Sequence, residues 1–454
     1  MSFFDENVLL TTDEARLLYA GVADLPIVDC HSHLDPRAIA EDAPLGGLGE
    51  LWLAHDHYKW RAMRLCGVDE RYITGDAPYY EKFEAFARIM PLLCGSPVYY
   101  FSQFELKQIF GITEALCAEN AGRIYAQCGE KLAGMRVSDL LAKYRVRLAA
   151  TTDDPADSLE YHGVHGETAL VPTFRPDKYY CPGDGDLERL SAAAGMGITS
   201  LGDMLEALTR RLDFFVSRGC FMSDHGFERF PDEYPSEHRA SELFARRATL
   251  DEDEKSELFG FILRALMPEY KKRGVTAQLH FAVRRNVNRE AFALCGADSG
   301  FDVIGDAPDV SSVERFLAGM SDKERPEIIL YTLNDTSLRA IAALCGAFRG
   351  VRVGAAWWFN DTKPGILRAL GTVAQYGALG TFPGMLSDSR SFAGYSRFDF
   401  FRRILCGFVG ELVARGEYAP EHAAELVGRI CLGNVVTLAE RNGETARMMK
   451  DVGL

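Results

Sequence analysis

Apolar and polar positions along the chain follow two periods in turn. Short apolar segments at 26–30, 147–152, 169–174, 220–223, 276–281, 328–333, 351–357 and 379–385 read as buried strands. Between most of them, stretches such as 201–218, 255–273 and 313–320 place apolar residues at helical spacing. Eight strands alternating with helices predict an α/β chain built as a (β/α)8 barrel of TIM type rather than an open doubly wound sheet. No G-x-G-x-x-G follows the first strand, which argues against a dinucleotide-binding fold. Residues 38–145 break the alternation. They carry helical spacing interrupted by Gly67, Gly75, Pro91 and Gly95, with almost no strand signal. No linker-like composition bounds them, so they are expected to be a helical insertion within a single domain, 1–454. Residues 401–454 are expected to form helices packing on the barrel.

Composition narrows the class. The 454 residues are 47% hydrophobic and 25% charged, an ordinary globular balance. The net charge of −15, with no basic run, argues against binding nucleic acid or an anionic membrane surface. An anionic substrate would need specific arginines. Eleven scattered cysteines without a C-x-x-C read as reduced thiols, and the first residues lack a signal-peptide pattern, so a cytoplasmic protein is expected. No apolar run of about 20 residues suggests a membrane span.

The candidate chemistry sits where barrel chemistry sits, at the C-terminal ends of strands. His31 and His33 follow the first strand at i, i+2 and face one side in extended structure. Two such imidazoles can share one divalent cation, most often zinc. After later strands come Asp153 and Asp154, Arg175, Asp224 and His225, His280 with Arg284 and Arg285, Asn334, Trp357 and Trp358, and Asp388 with Arg390. His280 can be read as a third ligand, an outer hydrogen-bond donor or a core histidine. Trp357 and Trp358 should point to opposite faces, so that at most one lines a pocket.

H-x-H after the first strand with an Asp after the eighth resembles the ligand pattern of the amidohydrolase superfamily. The blocks Asp56-His57-Tyr58-Lys59-Trp60-Arg61-Ala62-Met63-Arg64, Pro172-Thr173-Phe174-Arg175-Pro176-Asp177, Ala356-Trp357-Trp358-Phe359-Asn360-Asp361 and Gly384-Met385-Leu386-Ser387-Asp388-Ser389-Arg390 resemble the uronate (glucuronate) isomerases within it. The chain departs from that pattern at Arg285-Asn286-Val287-Asn288 and at Asn334-Asp335-Thr336-Ser337. The resemblance implies that D-glucuronate and D-fructuronate, and D-galacturonate and D-tagaturonate, are interconverted through an enediol. It implies one cation, zinc by preference, on His31, His33 and Asp388. It makes Asp388, Tyr58 and Arg390 the proton-handling residues. His57, Arg175, Arg390, Trp357, Asp224 and His280 become the substrate contacts, and the enzyme is expected to be a homo-oligomer. Two rivals remain: a metal-dependent hydrolase of the same superfamily, and a silent sugar-acid binding protein. The first would bring a lysine after the fourth strand, where this chain has Asp224-His225.

Overall fold

The computed structural model describes residues 3–454. Its strands in chain order are β1 Ile27–Asp29, β2 Val146–Ala150, β3 Gly163–His165, β4 Thr168–Val171, β5 Met222–Gly226 and β6 Thr276–Phe281. They continue with β7 Val283–Arg284, β8 Val303–Ile304, β9 Ile328–Thr332 and β10 Val351–Val353. The fold is mixed α/β with parallel sheets. One sheet runs β1-β2-β4-β3 and the other β10-β9-β6-β5. Parallel bridges from Phe174 to Asp153 and to Ser223 join them, so the parallel order continues from β1 through β2, β4, β5, β6 and β9 to β10. These strands are buried on both faces, as their continuous apolar runs require.

The expected eighth strand is not a regular one. Leu379–Thr381 is a 3₁₀ turn and no ladder forms beyond it. Pro383 has no N–H to give, and Gly384 sits at φ +85°, which bends the backbone away from extended geometry. The segment still reaches β1. Asp388 N–H donates to His31 O at 3.0 Å, and His33 N–H donates to Ser389 O at 2.9 Å. Two further hairpin elements escaped the period-2 reading. β3 pairs antiparallel with β4, and β7 with β8. β3 is partly exposed and only three residues long, too short to register as a pattern.

Between β1 and β2 the chain passes through helices and no strand. This interval packs a core of its own around Trp52, Phe83, Phe86 and Phe110, separate from the large core on the sheets. The C-terminal helices begin with Ser396–Ala414, whose buried face packs against the first helix, Asp13–Val22, and against the helices Pro97–Phe110 and Lys363–Tyr376. All eleven cysteines are free. No helix among the described residues is long and apolar enough to cross a membrane.

Candidate active site

The parallel strands end on a cavity of about 400 Å³. β1 delivers His31 and His33 to it, β5 Asp224, β6 His280, and the turn after β10 Trp357 and Trp358. Strand alternation decides which neighbours reach it. In β5, Asp224 and Gly226 face the cavity, while His225 points outward to Ser223 at 3.0 Å and to Tyr180. His225 is therefore not brought to the site, and Asp153, Asp154 and Asn334 are not either. Asp153 is tied to Thr151 and Asn334 to Gly305 O.

At the cavity floor the Nε2 atoms of His31 and His33 each lie 3.3 Å from Asp388 Oδ1. Their rings meet at 86°. A cation bonded at about 2.1 Å in tetrahedral geometry separates its ligand atoms by about 3.4 Å, so both histidine–carboxylate separations match what such an ion needs. The surrounding bonds fix their lone pairs. Thr152 Oγ1 donates to Ser32 O at 3.2 Å and so accepts from His33 Nδ1 at 2.7 Å, leaving Nε2 unprotonated. Trp357 Nε1 donates to Asp388 Oδ2 at 3.0 Å and leaves Oδ1 for the ion. Asp388 itself sits at φ +46°, a conformation that aspartate tolerates better than most residues. Burial alone would raise its carboxyl, but the His31 and His33 imidazoles beside it hold it well below the usual carboxylate range. Burial lowers His33 to about 4, which keeps it a neutral ligand.

A second set, His31 with Asp224 and His280, adjoins the first. His280 Nδ1 donates to Asp224 Oδ1 at 2.8 Å, and its buried Nε2 has no partner among the described residues. Its ring stacks on Tyr331 with centroids 4.2 Å apart. The arrangement does not fit a satisfied core histidine.

Each arginine of the cavity is matched to an acid. Arg175 places Nε 3.0 Å from Asp177 and Nη1 3.2 Å from Asp224. Arg285 pairs with Asp302 at 2.9 Å and lies over the Trp358 ring, and Arg390 pairs with Asp298 at 3.3 Å. A Cβ at Gly226 would stand 3.0 Å from Arg175 Nη2 and 3.7 Å from Arg285 Nη2. The two guanidinium ends therefore converge on the bare wall that glycine leaves.

Of the residues expected here, His31, His33, His57, Arg175, Asp224, His280, Trp357, Asp388 and Arg390 share the cavity. Tyr58 does not line it. Its ring borders a smaller apolar pocket that shares His57, Gly300, Asp302 and Trp358 with the cavity, and its buried hydroxyl turns inward. Both tryptophans line the cavity, against the expectation of one. Trp358 starts a 3₁₀ turn at φ +53°, so the extended alternation stops before its ring is placed. Thr152, Asp177, Gly226, Asp298 and Asp302 also line it and were not singled out. The Asp177 signal was available as the acid two residues after Arg175.

The family model for glucuronate isomerase matches residues 1–438. A uronate isomerase of Haemophilus influenzae (strain PittGG) is 42% identical, over 95% of this chain and 98% of its own. The uronate isomerase structure from Thermotoga maritima is 32% identical with a TM-score of 0.93, covering 96% of this chain and all of its own. That of glucuronate isomerase from Caulobacter crescentus is 27% identical with a TM-score of 0.91, over 96% of this chain and 97% of its own.

Proposed function

The chain belongs to the glucuronate isomerase family and is an isomerase of uronates; on that premise we propose that its cavity interconverts D-glucuronate and D-fructuronate, and D-galacturonate and D-tagaturonate, through an enediol. The observation that carries this reading is the polarity of one cavity. It has a strongly acidic carboxylate with two imidazoles at one side and two converging guanidinium ends at the other.

The reaction moves hydrogen from C2 to C1. Asp388 is the base that takes the C2 proton and returns it to C1, held in place by Trp357 Nε1. Arg390 serves the C1 and C2 oxygens, where one must gain and the other lose a proton; Tyr58, expected to share this role, stands outside the cavity lining. His57 hydrogen-bonds the sugar. Asp224 and His280 meet its hydroxyls, and the bare His280 Nε2 is also open to a cation. Arg175 with Arg285 receives the carboxylate. This role moves from Arg390 to Arg285 because Arg390 stands two residues from Asp388, at the reacting end. A divalent cation on His31, His33 and Asp388, zinc by donor type, would supply a fixed positive charge that orients the sugar's oxygens. We further read the parallel order, with the 388–389 segment returning to β1, as a closed eightfold barrel. Residues 38–145 are its insertion and the C-terminal helices pack on it. We place the enzyme in the cytoplasm, where its free cysteines stay reduced, and read it as a homo-oligomer.

The test is to incubate the protein with D-glucuronate in deuterated water and follow the proton signals at C1 and C2, with and without chelator. Ketose product, lost on chelation, is expected. No ketose from either uronate would overturn the reading and return the hydrolase to first place.

A further inference from the structure

At the other end of the sheets, where the parallel strands begin, a second cavity of about 320 Å³ opens. Ile27, the first residue of β1, and Arg145, just before β2, form part of its wall. It therefore lies away from the catalytic cavity, which takes the strands' C-terminal ends. The helix Ser396–Ala414 walls it with Asp399, Arg402 and Arg403, and the helix Pro97–Phe110 with Lys107 and Gln108.

Its charges do not balance. Five basic side chains and three acids line it. Each acid is already taken: Glu6 by Lys107 at 2.9 Å, Asp24 by Arg145 at 3.3 Å, and Asp399 by Arg403 at 3.0 Å. Lys143 and Arg402 are left over, and neither forms an ion pair among the described residues. Lys143 is exposed. Arg402 is 4% exposed; its Nη1 and Nη2 donate to Ala23 O and Pro26 O, each at 3.1 Å, and its buried Nε has no partner among the described residues. Burial without a facing acid weakens the guanidinium's hold on its proton. Three more lining side chains carry a buried polar atom without such a partner: Gln108 Oε1, Tyr144 Oη and Tyr395 Oη. The amide of Gln108 is held this way round because Nε2 donates to Asp399 at 2.6 Å.

We propose that this cavity is a second ligand site, which takes a small anion carrying hydroxyl groups: a sugar acid or a sugar phosphate. The site stands whether or not the catalytic cavity isomerises uronates.

A buried cation that no acid faces is costly, and an oxyanion brought to Arg402 and Lys143 removes that cost. The net charge of −15 repels anions at long range, so the two surplus positive charges must act at contact. The unpaired groups also fix the ligand's hydrogen-bonding character. Arg402 Nε and the two phenols can donate to an oxyanion, whereas Gln108 Oε1 only accepts and asks for an O–H in return. A halide meets the first demand and not the second; a hydroxylated anion meets both. The volume lies within the range of small-molecule pockets, which begins at about 300 Å³. Leu25, Ile27 and Phe104 leave an apolar patch for the carbon face of a sugar. Occupancy would bear on the catalytic end through β1, since Arg402 holds the carbonyl of Pro26, at the entry to the strand that ends in His31 and His33.

The test uses the intact protein with D-gluconate, glucose 6-phosphate and sodium chloride at matched ionic strength. It reads binding by titration calorimetry, and the rate at which acetic anhydride acetylates Lys143, followed by peptide mass spectrometry with exposed Lys450 as the internal control. At four times its Kd, a bound probe should slow Lys143 about fivefold and leave Lys450 unchanged; chloride should do neither. Protection by D-gluconate assigns a sugar acid, and protection by glucose 6-phosphate a sugar phosphate. Lys143→Glu, a change at an exposed position, should weaken that binding about tenfold and leave kcat without the probe as it was. Arg175→Met, in the catalytic cavity, should leave the protection of Lys143 intact. Equal Lys143 rates with and without either probe, binding indifferent to Lys143→Glu, or protection lost in Arg175→Met would overturn the proposal. A Lys143 that resists acetylation before any probe is added would also overturn it, by showing the cavity closed by a second copy of the chain.

Discussion

Replacing Thr152 by valine removes one hydroxyl and keeps the side chain's shape. That hydroxyl holds two bonds, to Ser32 O at 3.2 Å and to His33 Nδ1 at 2.7 Å. Its donation to the carbonyl makes it an acceptor toward the imidazole, and this keeps His33 Nε2 free of a proton. Without it, Nδ1 loses the partner that selects this tautomer, and the ring is free to present Nε2–H to Asp388. Losing such an outer partner costs about 10- to 100-fold in metal affinity, or about 1.4 to 2.8 kcal/mol. His33 is partly exposed, which lets water take over some of the lost bond and places the expectation near tenfold. Zinc affinity should be measured by competition with a chromophoric chelator in both proteins, with turnover followed across added metal. Thr152→Val should need more metal for half activity yet approach the parental kcat at saturation. Equal affinity would refute the tautomer argument. A lower kcat at saturating metal would show that Thr152 acts on the reacting sugar instead.

Asp388→Asn should lower kcat by about a thousandfold in a steady-state assay and bind metal more weakly, since it removes both base and ligand; substantial turnover would move the base elsewhere. Gly226→Ala puts a methyl group 3.0 Å from Arg175 Nη2 and should raise KM for D-glucuronate about tenfold while sparing kcat. Arg285→Met should do the same, and an effect on kcat alone would contradict the carboxylate assignment. Burial raises Glu105 to about 7 against the pull of Lys59. The folded chain thus holds that proton more tightly than the unfolded one. The stability this gives is full below about pH 4.5 and is lost as pH rises through 7, on the order of 3 kcal/mol. Glu105→Gln cannot ionise, so its melting temperature should gain on the parent between pH 5 and pH 8; a constant difference would refute this.

Much of the fold was legible because buried strands carry their own signature. The segment 276–281 has polar residues only at Thr276, Gln278 and His280, on alternate positions, and β6 occupies that span. The histidines of β1 were legible for the same reason, since spacing alone decides their common side. What failed were positions where a turn overrides the period. Pro383 and Gly384 dissolve the eighth strand, and Trp358 leaves the extended region one residue after Trp357. The long-range ion pairs were not legible. Nothing local couples Arg285 to Asp302 or Arg390 to Asp298, because each pair forms only when a loop folds back over the cavity. Asp361 ends the aromatic block 356–361, and only its burial shows it as an acid short of a partner.

The bonds from Asp388 N–H to His31 O and from His33 N–H to Ser389 O join points more than 350 residues apart. The donor set of His31, His33 and Asp388 thus joins the two ends of the sheet order. During synthesis, a ribosome must deliver almost nine-tenths of the chain before the third donor exists. Closing so long a loop is among the slowest steps open to a chain of this topology. A cation on these three donors would therefore not template early folding. It would bind last, once the first and final strand positions have met.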